Sequence, residues 1–177
     1  MLSRIEFYKG QMDLVKGFNK LPKNIQNRLR VYFIGDGNKE EVENLKKFIL
    51  LKKLENYFIF TGYIDCSSIL ILSKLDLVLS LTRTFEGFGL SIAEAMSVKT
   101  PVLATKVGAI TEYLDPNNST LIDAGNIDQI TNALNDFVVN KVTWDKKADV
   151  AKNTIVKNFS SELMAKNYFN HFMQNLF

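Results

Sequence analysis

Apolar runs of strand length recur along this chain, and the stretches between them carry apolar residues at helical spacing. RVYFIGDG (residues 30–37), YFIFTGYI (57–64), DLVLSL (76–81), PVLAT (101–105) and NNSTLID (117–123) read as strands with their exits. Between and around them the pattern predicts a helix from about Gly10 to Lys20, with Met12, Leu14, Val15 and Phe18 as its apolar positions. A second helix over 39–54 turns Val42, Leu45, Phe48 and Ile49 inward, and a short one covers 67–75. Another opens at Leu90, a short one lies in KVGAITEYL, and one spans 127–140 with Asn126 as its cap. Two more, over 144–157 and from 160 to the end, close the chain. Strands alternating with helices predict an α/β fold with a doubly wound parallel sheet covered on both faces, followed by extra C-terminal helices. The last helix carries Leu163, Tyr168, Phe169, Phe172, Met173 and Leu176 on a broad apolar face, too much to leave in water.

Residues 85–105, FEGFGLSIAEAMSVKTPVLAT, concentrate the candidate chemistry. Gly87 and Gly89 lack side chains, so the backbone there can approach a ligand closely; a tight turn would use the same residues. Leu90 then opens a helix whose unpaired N–H groups and positive dipole end favour a phosphate. Within that helix Ser91, Glu94 and Ser97 form a slim polar stripe among Leu90, Ile92, Ala93, Ala95, Met96 and Val98. Glu94 is then either the solvent side of the helix or an acceptor for vicinal hydroxyls such as a ribose diol. Glu86 stands eight positions earlier. Two carboxylates would repel a diphosphate lying against them, so an anion at the helix start leaves each glutamate to a neutral, hydroxyl-rich part of the ligand. A nucleotide sugar has that shape.

The longer run FEGFGLSIAEAMSVKTPVLATKVGAITEYL resembles the signature of the group-1, family-4 retaining glycosyltransferases with the two-domain GT-B fold, in which seven residues separate two glutamates. Glu86, Gly87, Phe88, Gly89, Leu90, Glu94, Ala95, Met96, Pro101, Val102, Ala104, Thr105, Gly108 and Glu112 stand where that pattern wants them. The resemblance implies a Rossmann-like C-terminal domain that binds the donor, a hexose-type nucleoside-diphosphate sugar. It gives Glu86 the transferred sugar and Glu94 the ribose; Arg4 and Lys9 take the diphosphate, although Ser3 stands where glycine is usual. Gly87, Phe88, Gly89, Leu90 and Ser91 form the donor loop, whose amides after Phe88 face the leaving phosphate, and Tyr63 and Ile64 lie against the nucleobase. Read as bare residues, Arg4 and Lys9 are surface charges and Tyr63 and Ile64 belong to a core.

The resemblance further implies no metal and no cofactor. It implies an acceptor sugar or lipid-linked glycan reached through an N-terminal domain, and work in polysaccharide, lipopolysaccharide or glycolipid assembly. It divides the chain into a nucleotide-sugar-binding domain over 1–158 and a helix over 159–177 that crosses to the other domain. Peripheral membrane association of a full enzyme and self-association of this fragment are the partner expectations. Two rivals stand beside it: a degenerate, non-catalytic half that binds nucleotide or a partner chain, and a doubly wound domain for another phosphate ligand.

Length, charge and cysteine use change this picture little. At 177 residues there is room for one domain and not for both halves of a GT-B enzyme. Only residues 1–3 precede Arg4 to supply the first strand, so the expectation is a fragment cut near a domain boundary, with the neighbouring strands left open. A net charge of +3 with lysines scattered among acids gives no stripe for nucleic acid. GDGNKE lacks the third glycine of the dinucleotide fingerprint, which leaves Asp36 as a turn residue. A single cysteine, Cys66, excludes an internal disulfide and fits a reducing compartment. No apolar run approaches the ~20 residues of a membrane span, and the expected location is cytoplasmic.

Overall fold

Two sets of short parallel strands carry the fold of this computed structural model, which describes residues 1–174. Leu176, counted on the terminal apolar face, lies outside the described residues. In the first set β1 (Val31–Ile34) pairs with β2 (Phe58–Gly62), Val31 opposite Phe58. In the second, β3 (Val78–Ser80), β4 (Val102–Thr105) and β5 (Thr120–Ile122) lie in that order, with Val78 opposite Val102 and Leu103 opposite Thr120. β4 is buried at all its positions, which explains why PVLAT is apolar without alternation.

Helices connect the strands as the sequence pattern predicts. α1 (Gln11–Asn19) and the short α2 (Lys23–Gln26) precede β1, α3 (Lys39–Leu51) leads to β2, and α4 (Ser68–Leu72) leads to β3. α5 (Leu90–Ser97) joins β3 to β4, and a 3₁₀ turn at Gly108–Glu112 precedes β5. α6 (Ile127–Val139), capped by Asn126 Oδ1 accepting from the Gln129 amide, then leads to α7 (Lys141–Asn158) and α8 (Ser161–Gln174). One core gathers Phe18, Phe33, Leu45, Phe58, Leu134 and Trp144; a second gathers Ile92, Met96, Ile110 and Ile155 under α5 and α7.

The expected single sheet is interrupted. Residues 1–5 run parallel to β1 through two isolated bridges, Leu2 to Ile34 and Ile5 to Gly37. Leu2 faces the last residue of β1, so this segment reaches back along the strand no further than Tyr32. The Met1 ammonium donates to the Tyr32 carbonyl at 2.7 Å and is pushed down to about 5 by burial. Beyond it a groove of about 470 Å³ opens between the starts of β1 and β3, lined by Met1, Tyr32, Leu77, Leu79, Leu134 and Phe137 among others.

One expectation is corrected. Tyr63 and Ile64, read from the bare residues as core, are exposed, Tyr63 at 73%. Gly62, with φ +67°, turns the chain outward at the end of β2, and the Asp36 carboxylate accepts the Tyr63 amide at 3.1 Å, so Asp36 is the turn residue anticipated. The terminal helix shows its apolar residues to solvent: Met164, Tyr168, Phe169, Phe172 and Met173 are exposed, and Leu163 is half-buried.

Candidate functional site

The loop after β3 and the turn before α1 meet at the carboxyl ends of the strands, where a doubly wound sheet holds its ligands. They enclose a cleft of about 450 Å³, lined by Ser3, Arg4 and Lys9 on one side and Ser80, Thr82, Glu86, Phe88, Gly89, Leu90 and Ser91 on the other. A 3₁₀ turn, Phe7–Lys9, ends in Gly10, which takes φ +82°. A side chain on Gly10 would meet the Leu81 carbonyl at 2.1 Å, so the turn packs directly on the exit of β3.

That contact delivers Lys9 to Glu86. Lys9 Nζ donates to Glu86 Oε2 at 2.9 Å, and the Thr82 hydroxyl donates to the same oxygen at 3.2 Å. The two charged side chains are only 18% and 21% exposed, so water screens the pair less than it would on an open surface. The backbone of Glu86 is fixed from outside the loop. Its carbonyl accepts the Ala109 amide at 3.0 Å, and Gly108 beside it takes φ +62°, where an added Cβ would stand 2.0 Å from the Glu86 oxygen.

Phe88 and Gly89 are held in the same way. The Phe88 ring packs 5.4 Å from both Tyr113 and Phe159, and the Tyr113 hydroxyl donates to the Phe88 carbonyl. Burial, with Glu86 nearby, pushes the Tyr113 hydroxyl up, so it stays a donor at any ordinary pH. Gly89 has φ +71° and precedes α5, whose first amides have by position no intrahelical acceptor and are available to an anion. Leu90, read as part of the apolar surround of the helix, is instead 69% exposed on the rim of the cleft.

Not every candidate reaches the cleft wall. Arg4 lines the rim, exposed, and pairs with Glu6 at 3.1 Å. Glu94 sits half-buried on the second turn of α5 between buried Ala93 and Ala95, and the walls of the cleft are formed without it, Gly87, Tyr63 or Ile64. Among the described residues no group of three His, Cys, Asp or Glu side chains is placed to hold a metal ion.

Sequence reasoning missed three residues around the site. Gln11, buried on α1, donates to the Arg4 carbonyl at 2.8 Å and so fixes the segment that carries Arg4. Asp13, with its side chain 2% exposed, receives Arg83 on both carboxylate oxygens, Nε at 2.6 Å. The signal for Asp13 was present as a lone acid between Met12 and Leu14 on a helix face that must be buried, since a buried acid requires a partner.

The sequence model of the group 1 glycosyl transferases matches residues 1–157. The chain belongs to this glycosyltransferase family. The C-terminal domain of the group 1 glycosyltransferase LpcC from Francisella tularensis superposes with a TM-score of 0.79 at 25% identity, over 89% of this chain and 83% of that one. HepE from Anabaena, solved with UDP and with UDP-glucose, gives TM-scores of 0.90 and 0.87 at 23% and 24% identity, over 98% of this chain and 47% of its own. In sequence, this glycosyltransferase chain is 29% identical to the poly(ribitol-phosphate) alpha-N-acetylglucosaminyltransferase of Staphylococcus aureus, over 92% of the chain and 32% of the relative. The chain thus spans less than half the length of that relative and of HepE, and it shares the Rossmann-like fold of GT-B C-terminal domains. Among the described residues of this glycosyltransferase no helix is long and apolar enough to cross a membrane.

Proposed function

We propose that this chain is the donor-binding domain of a retaining glycosyltransferase, and that it holds a hexose-type nucleoside-diphosphate sugar in the cleft between the Phe7–Lys9 turn and the start of α5. The observation that carries the reading is the Lys9–Glu86 pair, 2.9 Å apart and largely screened from water, beside the first amides of α5. An arriving diphosphate can take Lys9 away from Glu86, and the released carboxylate becomes an acceptor for sugar hydroxyls. One exchange of partners then places cation on anion and carboxylate on hydroxyl. HepE, solved with UDP and UDP-glucose, and the Staphylococcus aureus transferase support a nucleotide sugar as the ligand class.

In the proposed reaction the bond from the anomeric carbon to the diphosphate breaks, the oxygen of an acceptor hydroxyl takes its place, and the hydroxyl proton passes to the leaving diphosphate. Negative charge gathers on the leaving diphosphate. Lys9, Arg4 and the amides at the start of α5 supply fixed positive charge and dipoles there, a role the proposal gives to no metal. Glu94 accepts the ribose hydroxyls, and Tyr63 and Ile64 flank the base, from positions beyond the wall described. The acceptor, a glycan or lipid-linked glycan, is held by a second domain. The enzyme is placed in the cytoplasm, in keeping with the free Cys66 thiol.

Calorimetric titration with UDP-, GDP- and ADP-glucose tests the reading. One of the three should bind, and Lys9→Met should weaken that binding at least tenfold. A chain that binds none of them, or whose Lys9→Met variant binds as tightly as the parent, would overturn the assignment.

A further inference from the structure

The geometry points to Asp13 and Arg83 as a positioning pair, one that sets the Lys9–Glu86 spacing without itself touching the ligand; this rests on the donor-site reading above. Lys9 ends the turn that Gly10 joins to α1, and Asp13 lies four residues further along, on the first turn of that helix. Glu86 lies three residues beyond Arg83 on the loop after β3. The Arg83 side chain crosses from that loop to α1 and grips Asp13 with two parallel hydrogen bonds. Its guanidinium also stacks 5.2 Å from the centre of the Phe7 ring, and its amide donates to the Tyr8 carbonyl at 2.7 Å. Side chain and backbone of one residue therefore tie down the residues on both sides of Lys9.

Stability alone is a poor reason for this arrangement. Asp13 is nearly sealed from water, and an ion pair that loses its hydration gains little or nothing over an apolar pair of the same volume. A bidentate fork does fix direction as well as distance, which a greasy contact or a lysine would not. The two loops that meet at the cleft have no shared hydrogen-bonded strand to hold their register: residues 1–5 bridge to β1, and β3 belongs to the other set. The Asp13–Arg83 fork supplies a rigid tie across that join, directly behind Lys9.

A double-mutant cycle separates positioning from general support. UDP-, GDP- or ADP-glucose, whichever binds the parent chain most tightly, is titrated into the parent, Lys9→Met, the neutral pair Asp13→Asn/Arg83→Gln, and the triple variant. If the pair acts through Lys9, the neutral pair weakens binding at least tenfold, and the triple variant binds no worse than Lys9→Met alone. The inference is overturned if the neutral pair binds like the parent, or if the triple variant loses the product of the two separate factors. If the neutral pair does not fold, Arg83→Lys, which keeps the charge and loses the fork, takes its place in the same cycle and is read by the same two outcomes. A parent chain that binds none of the three sugars, or a Lys9→Met chain unaffected in binding, instead defeats the donor-site reading and this inference with it.

Discussion

Glu94 is where the chemistry asked of one side chain is sharpest. It is the half-exposed residue of a helix turn whose other positions are buried, so its carboxylate keeps one open side. If it accepts ribose hydroxyls, Glu94→Gln loses the charge from those hydrogen bonds. Nucleotide binding should weaken by ~1.5–3 kcal/mol per bond, read by titration, whereas unchanged affinity would return Glu94 to the solvent stripe. Met1 makes a second prediction at this scale. Its folded pKa, about 5, lies below the ordinary value near 8, so between those limits the unfolded chain holds a proton that the folded chain does not. Stability should therefore rise as pH goes from about 5 to about 8, by at most ~4 kcal/mol, and be unaffected by this group outside that window. Urea unfolding at the two ends of the range would show the slope, and acetylation of the Met1 amine should remove it.

Among the elements, the 3₁₀ turn Gly108–Glu112 is the brace of the loop that carries Glu86, because it receives the Glu86 carbonyl and places Tyr113 under Phe88. Gly108→Ala puts a methyl group where the Glu86 carbonyl lies, in a left-handed conformation that costs an alanine ~1–2 kcal/mol by itself. The variant should unfold at lower temperature and lose nucleotide-sugar binding even at temperatures where it is folded; binding equal to the parent would show that the turn does not brace Glu86. Most elements could be read from the sequence because each was written twice, once as a hydrophobic period and once as a stop signal. α1, α3, α5 and α6 fall within a few residues of the expected spans, as do β1, β2 and β4. The dense match around Glu86 pointed to the cleft for the same reason: Gly89 and Gly108 stand at positions where only glycine fits comfortably. What the sequence did not show was pairing at long separation. Nothing local in LTRTF says that Arg83 will reach Asp13, seventy residues earlier, and nothing local in GYID says that Gly62 will throw Tyr63 into solvent.

At the scale of the whole molecule, α8 is the feature that the domain does not absorb. Its exposed Met164, Tyr168, Phe169, Phe172 and Met173 form a run of apolar surface beyond α7, of the kind that finds a partner in water. Light scattering over a concentration series should show association of the full chain, and a chain truncated after Ser160, which keeps Phe159 against Phe88 and Tyr113, should stay monomeric with its unfolding midpoint little changed. A full chain that is monomeric throughout would show that this helix is not an interface.

The interrupted sheet also decides how the protein can be handled. The Met1 nitrogen lies within the fold, hydrogen-bonded to Tyr32 at the mouth of the groove between β1 and β3. Anything joined ahead of it must leave from that buried position. An affinity tag at the amino end therefore starts inside the fold and turns the buried Met1 amine into an amide.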